Sequence, residues 1–124
     1  QEAVFETLAT LKQSGKIRAY GMSTKTIEGG LLAVNASDVV MVTYNPHQFA
    51  EQPVLAYASQ QEKGIFIKKA LASGHLHKLG SHPDPVRAAF DFILQEPGVT
   101  SIILGTINPA HLKHNVACVK ALLD

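Results

Sequence analysis

Tryptophan is absent from this sequence of 124 residues, and cysteine occurs once, as Cys118. A single cysteine excludes a disulfide within the chain and fits a reducing compartment, so we expect a cytoplasmic protein. No apolar run reaches the roughly 20 residues of a membrane-spanning helix, which argues against membrane association. The opening Gln-Glu-Ala-Val-Phe-Glu is acidic and lacks the pattern of a signal peptide.

The sequence also lacks an excess of charge of either sign. Eleven Lys and Arg residues face ten Asp and Glu residues, which gives a net charge of +1, and no basic block stands out. The electrostatic footprint of a nucleic-acid-binding protein is therefore missing. With 46% hydrophobic and 17% charged residues, the composition predicts one globular domain over residues 1–124. Because the chain starts at Gln1, within a helical pattern, we expect further residues upstream.

Helical and strand-like apolar patterns alternate along the whole chain. Short apolar runs at 17–22, 39–42, 65–67 and 102–104 predict four strands, and the last three are typical of strands buried on both faces. Helical patterns precede, separate and follow these strands. The order α-β-α-β-α-β-α-β-α predicts a parallel α/β protein, either an open sheet or part of a barrel. In both cases a ligand belongs at the carboxyl ends of the strands.

The stretch from Gly105 to Asn115 has the order strand, short turn and capped helix. Gly105 allows a close backbone approach, Asn108 can cap the helix, and Pro109 suits its first position. The amino end of a helix offers unpaired N–H groups and the positive end of the dipole, which favour phosphate. The alternative is an ordinary βα turn without a ligand. Asp84-Pro85 is a second clear helix start.

Four landmarks at the predicted strand ends resemble the aldo-keto reductases. They are residues 15–23 (Gly-Lys-Ile-Arg-Ala-Tyr-Gly-Met-Ser), Tyr44-Asn45, residues 71–74 (Leu-Ala-Ser-Gly) and residues 105–115. The resemblance covers essentially the whole chain. It implies the C-terminal half of a (β/α)8 TIM barrel, strands five to eight. The parent would be an NAD(P)H-dependent oxidoreductase that transfers hydride between the nicotinamide cofactor and a small carbonyl or alcohol substrate.

The resemblance implies a nicotinamide site at the first three strand ends. Ser23 matches a serine that binds the nicotinamide carboxamide, and Thr24 replaces the family's usual asparagine for the same group. Met41 stands where the family usually has glutamine and cannot donate a hydrogen bond. Lys68 stands where many members have an aromatic residue that stacks on the nicotinamide, so that contact is expected to be lost.

The resemblance also implies phosphate and adenine contacts. Leu71 to Gly74 match the loop over the pyrophosphate, and Gly105 and Thr106 match a turn at the adenosine phosphate, where many NADPH-preferring members have Lys-Ser. His111 stands where an arginine often binds the 2′-phosphate, and Asn115 matches an asparagine that contacts adenine. A neutral imidazole attracts phosphate less than a guanidinium does, so the cofactor can be NADP or NAD, with a weaker case for NADP.

The family's catalytic Asp, Tyr, Lys and His come from the N-terminal half of the barrel, which this chain does not match. The prediction is therefore that this chain supplies cofactor-binding residues, contains no catalytic residue and is inactive alone. The alternatives are a non-catalytic binding or regulatory module on the same scaffold and an independent small domain with an open four-stranded sheet. Half a barrel would leave two unpaired edges, so we also predict a homodimer of half-barrels.

Other candidate residues carry weaker hypotheses. His75, His77 and His82 could contact zinc, but no Cys or carboxylate cluster completes a site, so no metal is expected. Tyr44 has no lysine or histidine placed beside it by sequence, which favours packing over acid catalysis. Asp38 and Glu51 show no pairing pattern of a carboxylate dyad, and Cys118 in its helical pattern is typical of a small buried or half-buried residue.

Overall fold

A computed structural model of the chain describes residues 2–72 and 83–124. Five helices alternate with four strands in these ranges, in the order that the sequence predicts. The elements are α1 (Glu2–Gln13), β1 (Gly21–Ser23), α2 (Ile27–Ala36), β2 (Val39–Thr43), α3 (Gln52–Gln60), β3 (Gly64–Lys68), α4 (Pro85–Leu94), β4 (Ser101–Ile102) and α5 (Pro109–Leu123).

The four strands form one parallel sheet in the order β1-β2-β3-β4. Gly21 pairs with Val39, Val39 pairs with Gly64, and Phe66 pairs with Ser101, so the strands lie side by side in chain order. A helix connects each strand to the next, which is the βα arrangement of barrels and doubly wound sheets. The predicted parallel α/β fold is confirmed. Its carboxyl ends meet at one edge, where Ser23, Thr43 and Lys68 end their strands.

Two strands are shorter than the sequence predicts. β1 begins at Gly21 rather than at residue 17, because the chain before it is held by Asp38 instead of a neighbouring strand. The Asp38 carboxylate accepts the N–H of Tyr20 at 3.2 Å, and the Asp38 N–H donates to the Tyr20 carbonyl at 2.9 Å. β4 ends at Ile102, although the Ile103 N–H still donates to the Ile67 carbonyl at 2.8 Å.

The prediction of strands buried on both faces is wrong, because the helices cover only one face. Val40 and Val42 of β2 and Ile65 and Ile67 of β3 are fully buried with α2, α3 and α4 in one core. The alternate residues are only partly buried. This second surface, here called the open face, carries Ser23, Val39, Met41, Thr43, Phe66 and Lys68.

The predicted helix starts are confirmed by side-chain caps. Asn108 Oδ1 accepts the N–H groups of Ala110 at 2.9 Å and His111 at 3.3 Å, and Asp84 Oδ1 accepts that of Arg87 at 3.1 Å. Each cap replaces water at an N–H group that has no partner inside the helix. Pro109 and Pro85 occupy the first turns, as expected.

The first and last helices bury little within this chain. α1 has no buried residue, and the α5 stripe of Leu112, Val116 and Leu123 is 44%, 47% and 68% exposed. Cys118 on α5 is half-buried, as predicted. Within the described ranges, no helix combines the length and the apolar character that crossing a membrane requires.

Candidate cofactor site

Five of the ten predicted site residues line one cavity of about 500 Å³ beside the ends of β3 and β4 and the start of α5. This α5 cavity is lined by Leu71, Gly105, Thr106, His111 and Asn115, together with Lys69, Val86 and His114. The sequence places these residues in three separate segments. The parallel sheet brings the segments together because the loops after β3 and β4 leave from the same edge.

The start of α5 is more fully hydrogen-bonded than the sequence suggests. Asn108 occupies two of its N–H groups, and Thr106 Oγ1 accepts the Asn108 N–H at 3.1 Å. Any phosphate there would meet the helix dipole and the remaining donors rather than a full set of free N–H groups. The close approach expected at Gly105 is absent in the described structure, since a Cβ built there has nothing within 4 Å. Gly105 therefore leaves space open in the cavity wall.

Asn115 is the buried polar residue of the α5 cavity. It is 7% exposed, and its side-chain amide has no hydrogen bond within the described residues. Its side chain lines the cavity, so the amide can donate to and accept from a ligand with complementary groups. His111 and His114, one turn apart, are exposed at the cavity wall. Lys69 is the lysine among the residues that line this cavity.

Ser23 and Met41 lie apart from the α5 cavity, on the open face. With Val39 and Phe66 they line a separate cavity of about 400 Å³. Ser23 and Met41 are register partners on β1 and β2. The thioether of Met41 offers no strong hydrogen bond there, so the serine hydroxyl is the polar group that these two positions provide.

Lys68 reaches from β3 across the open face to β1. Its Nζ donates to Ser23 Oγ at 2.8 Å, which spans the width of β2. Lys68 also lines a third cavity of about 600 Å³, here called the Lys68 cavity, with Lys25, Thr43, His47, Phe49 and Glu51. Lys68 and Ser23, which are both predicted site residues, are thus in direct contact. Lys69 continues the chain with a left-handed backbone (φ 56°), which turns it away from the strand.

Glu51 is a residue that the sequence analysis did not identify as part of a site. It is 7% exposed, and one carboxylate oxygen, Oε1, has no hydrogen-bond partner in the described structure. Burial raises the pKa of the Glu51 carboxyl group, while the Thr43 N–H and the charge of Lys68 act in the opposite direction. Nothing in the sequence marks this glutamate, because its burial depends on how the loop before α3 folds back.

Of the other predicted residues, Thr24 lies within the described structure and Gly74 and three histidines lie outside it. Thr24 is buried, its N–H donates to the Met41 carbonyl at 3.0 Å, and its hydroxyl has no partner in the described structure. Gly74, His75, His77 and His82 lie outside the described residues, so the loop prediction and the zinc hypothesis stay untested. In the ranges that are described, no group of three or more His, Cys, Asp or Glu residues could hold a metal ion.

Tyr44 and Asp38 have structural partners. The Tyr44 hydroxyl donates to Glu96 Oε1 at 2.7 Å, and its ring stacks on Phe92 at 5.0 Å between centroids. Burial, reinforced by Glu96, raises the pKa of the Tyr44 phenol well above its usual range, which suits the packing role and not a proton donor. Asp38 forms an ion pair with Lys12 at 2.8 Å.

Comparisons with known proteins support the fold. No protein-family model matches the chain, and no curated protein matches it. Solved structures do match, among them two from Pseudomonas aeruginosa, both described as a "putative aldo-keto reductase". The identities are 50% and 52%, each match covers 98% of this chain, and the TM-score is 0.85 for both. The chain spans 45% and 44% of those two structures, less than half their length.

The fold and the position of the site define a class first: an α/β protein built as part of a (β/α)8 barrel. At 50% identity over almost the whole chain, the two neighbours also indicate the family. The chain is similar to part of the barrel of these two aldo-keto reductases, which confirms the resemblance seen in the four landmarks.

Proposed function

We propose that this chain is the C-terminal, cofactor-binding part of an NAD(P)H-dependent aldo-keto reductase. The parent protein would transfer hydride between the cofactor and a small carbonyl or alcohol substrate in the cytoplasm. The observation that carries the proposal is the convergence of Leu71, Gly105, Thr106, His111 and Asn115 on one cavity. These residues come from loops after two strands and from α5. By the resemblance, Leu71 matches the loop over the pyrophosphate, and the other four match positions at the adenosine phosphate and adenine.

The residues present fit a dinucleotide in part. Asn115 offers a side-chain amide at the cavity wall, and the α5 cavity of about 500 Å³ is of a size that small-molecule sites commonly have. On the open face, the Ser23 hydroxyl lies where the resemblance places the carboxamide. Bound there, the cofactor would supply the hydride. The residues of this chain would bind and orient it, while the proton donor for the substrate would come from outside this chain.

The preference between NADP and NAD depends on the charge near the adenosine phosphate. Gly105 and His111 stand where many NADPH-preferring members have lysine and arginine, so the α5 cavity has Lys69 as its cationic side chain among the described residues. A single exposed lysine holds a 2′-phosphate less firmly than a lysine with an arginine fork. The proposal therefore includes both cofactors, and we expect the affinities for NADPH and NADH to be similar.

Calorimetric titration of the protein with NADPH and NADH tests this proposal. We expect saturable binding that weakens about tenfold on Asn115→Ala, because the buried amide loses its ligand contacts. Lys16→Met, at the opposite edge of the sheet, is the matched control and should bind as the parent sequence does. Absence of binding by a protein containing the whole barrel would reject the proposal. Hydride transfer by the 124-residue chain alone would contradict the prediction that this chain is inactive by itself.

A further inference from the structure

Lys68 forms no ion pair in the described structure, although Glu51 lies near enough to its cavity to interact with its charge. Lys68 is half-buried, and its ammonium group donates to a neutral hydroxyl, that of Ser23, at 2.8 Å. The ion pair found in the described ranges joins Lys12 and Asp38, far from this cavity. An ammonium group has three donors, so two remain for a ligand.

The surroundings of Lys68 add to this charge. Lys25, Lys69 and His47 also line the cavity, against one acidic residue, Glu51. Lys25 and Lys69 are exposed and therefore screened by solvent, whereas Lys68 is partly withdrawn from water and acts more strongly on a nearby charge. Glu51 does not reach salt-bridge distance of Lys68.

We propose that the Lys68 cavity binds a small oxyanion, with Lys68 as its main ligand and Ser23 as the residue that positions the ammonium group. The oxyanion is a carboxylate or a phosphate group, which accept hydrogen bonds from an ammonium group in the same way. The α5 cavity lies on the other side of β3, and the two cavities share Lys69. The neighbours of the Lys68 cavity are the loops after β1 and β2, and the inference does not require the dinucleotide to bind.

The proposal also predicts an effect of Glu51 on anion binding, which can be tested independently. A buried carboxylate at the wall repels an anion and competes for the lysine charge. Replacing it with the isosteric glutamine removes that charge without removing the side chain, so anion binding should tighten. A purely structural role for Glu51 would leave anion affinity unchanged.

The experiment is a titration of the protein with sodium acetate and, separately, inorganic phosphate, followed by amide chemical shifts at constant ionic strength. We expect saturable shifts at residues around Lys68, an affinity about tenfold weaker in Lys68→Met, and an affinity at least about threefold tighter in Glu51→Gln. Lys68→Arg keeps the positive charge and should keep most of the binding. It therefore serves as a control in case Lys68→Met fails to fold. Lys16→Met removes the same charge in the turn before β1, at the amino ends of the strands and outside the residues that line this cavity, and should change nothing.

Comparing acetate with phosphate shows which kind of anion the site prefers. The variant His111→Ala shows whether the anion binds in the α5 cavity instead. Stronger binding of acetate would assign the site to a substrate carboxylate, and stronger binding of phosphate would assign it to a phosphate group. Loss of binding in His111→Ala with retention in Lys68→Met would place the anion in the α5 cavity and overturn the inference. So would the absence of saturable shifts, or equal affinities in Lys68→Met and the parent sequence. None of these outcomes depends on whether NADPH binds.

Discussion

Gly30 of α2 lies so close to Val54 of α3 that a Cβ built on it falls 2.6 Å from Val54 Cγ2. Both residues are fully or almost fully buried, so neither side of the contact can move into solvent. In the sequence, Gly29-Gly30 is a weak point in a helical pattern. In the structure, Gly30 is what allows α2 and α3 to pack at this distance.

Gly30→Ala should therefore destabilise the protein by about 2 kcal/mol, because the steric cost exceeds the gain of about 1 kcal/mol in helix propensity. Gly29→Ala is the matched control one residue away. Its Cβ would meet Thr26 Oγ1 at 2.9 Å, a movable side-chain atom that caps α2, so propensity gain and cap loss should nearly cancel. Urea unfolding measures both variants. Equal stability of Gly30→Ala and the parent sequence would contradict the packing argument.

The ion pair between Lys12 and Asp38 predicts a loss of stability in acid. The hydrogen bond from Lys12, helped by the Tyr20 N–H, holds the pKa of the Asp38 carboxyl group below its ordinary value. A depressed carboxyl pKa stabilises the folded state above the pKa of the unfolded chain, and that contribution disappears as the pH falls through the folded-state pKa. The pKa of Lys12 is raised by the same hydrogen bond, so its contribution is lost only in strong alkali.

The measurement is a double-mutant cycle of Asp38→Asn and Lys12→Met, with unfolding free energies taken at pH 7 and at about pH 3. We expect a favourable coupling at pH 7 that shrinks at the lower pH. Because the Lys12 side chain is 44% exposed, added salt should also reduce the coupling. A coupling that is the same at both pH values would show that the pair contributes through packing and not through charge.

Gly105 predicts a route to stronger NADP selectivity. Nothing lies within 4 Å of a Cβ built at this position, so a larger side chain fits without strain. Gly105→Lys would place a cation at the wall of the α5 cavity, where the family resemblance puts the adenosine phosphate. If the proposed function holds, the ratio of NADPH to NADH affinity should rise about tenfold, mainly through NADPH.

Gly105→Ala is the control, because it changes the backbone in the same way without adding charge. Its two cofactor affinities should stay in the ratio of the parent sequence. A rise in NADPH and NADH affinity by the same factor in Gly105→Lys would mean that the new lysine binds the shared pyrophosphate. The 2′-phosphate would then lie elsewhere.

The order and parallel pairing of the elements could be predicted because they depend on local patterns. The apolar runs, the caps at Asn108 and Asp84 and the short connections suffice for a βα fold. Which faces are buried could not be predicted, since a run of four apolar residues is the same in a sheet covered on two sides and in a sheet covered on one. Asp38 shortened β1 through contacts with Tyr20 that depend on tertiary structure.

The candidate site was predictable only through the resemblance. Gly105, Thr106, His111 and Asn115 share a cavity because β4 and α5 hold them, and their roles came from family positions rather than from spacing. Glu51 and the bond between Lys68 and Ser23 could not be found this way. They arise from contacts between loops that the sequence leaves unspecified, and they are the features on which the oxyanion inference depends.

The open sheet predicts that the 124-residue chain self-associates. β1 and β4 each have one strand neighbour in the described structure, and the open face carries the partly buried Val39, Met41 and Phe66. Unpaired edges and an apolar face favour pairing with a second copy, as in two half-barrels that close one barrel. Sedimentation velocity should show a dimer that dissociates in Phe66→Gln. Leu32→Gln, on the helix-covered side and already 62% exposed, should leave the dimer intact. A well-folded parent chain that sediments as a monomer at every concentration would contradict this prediction.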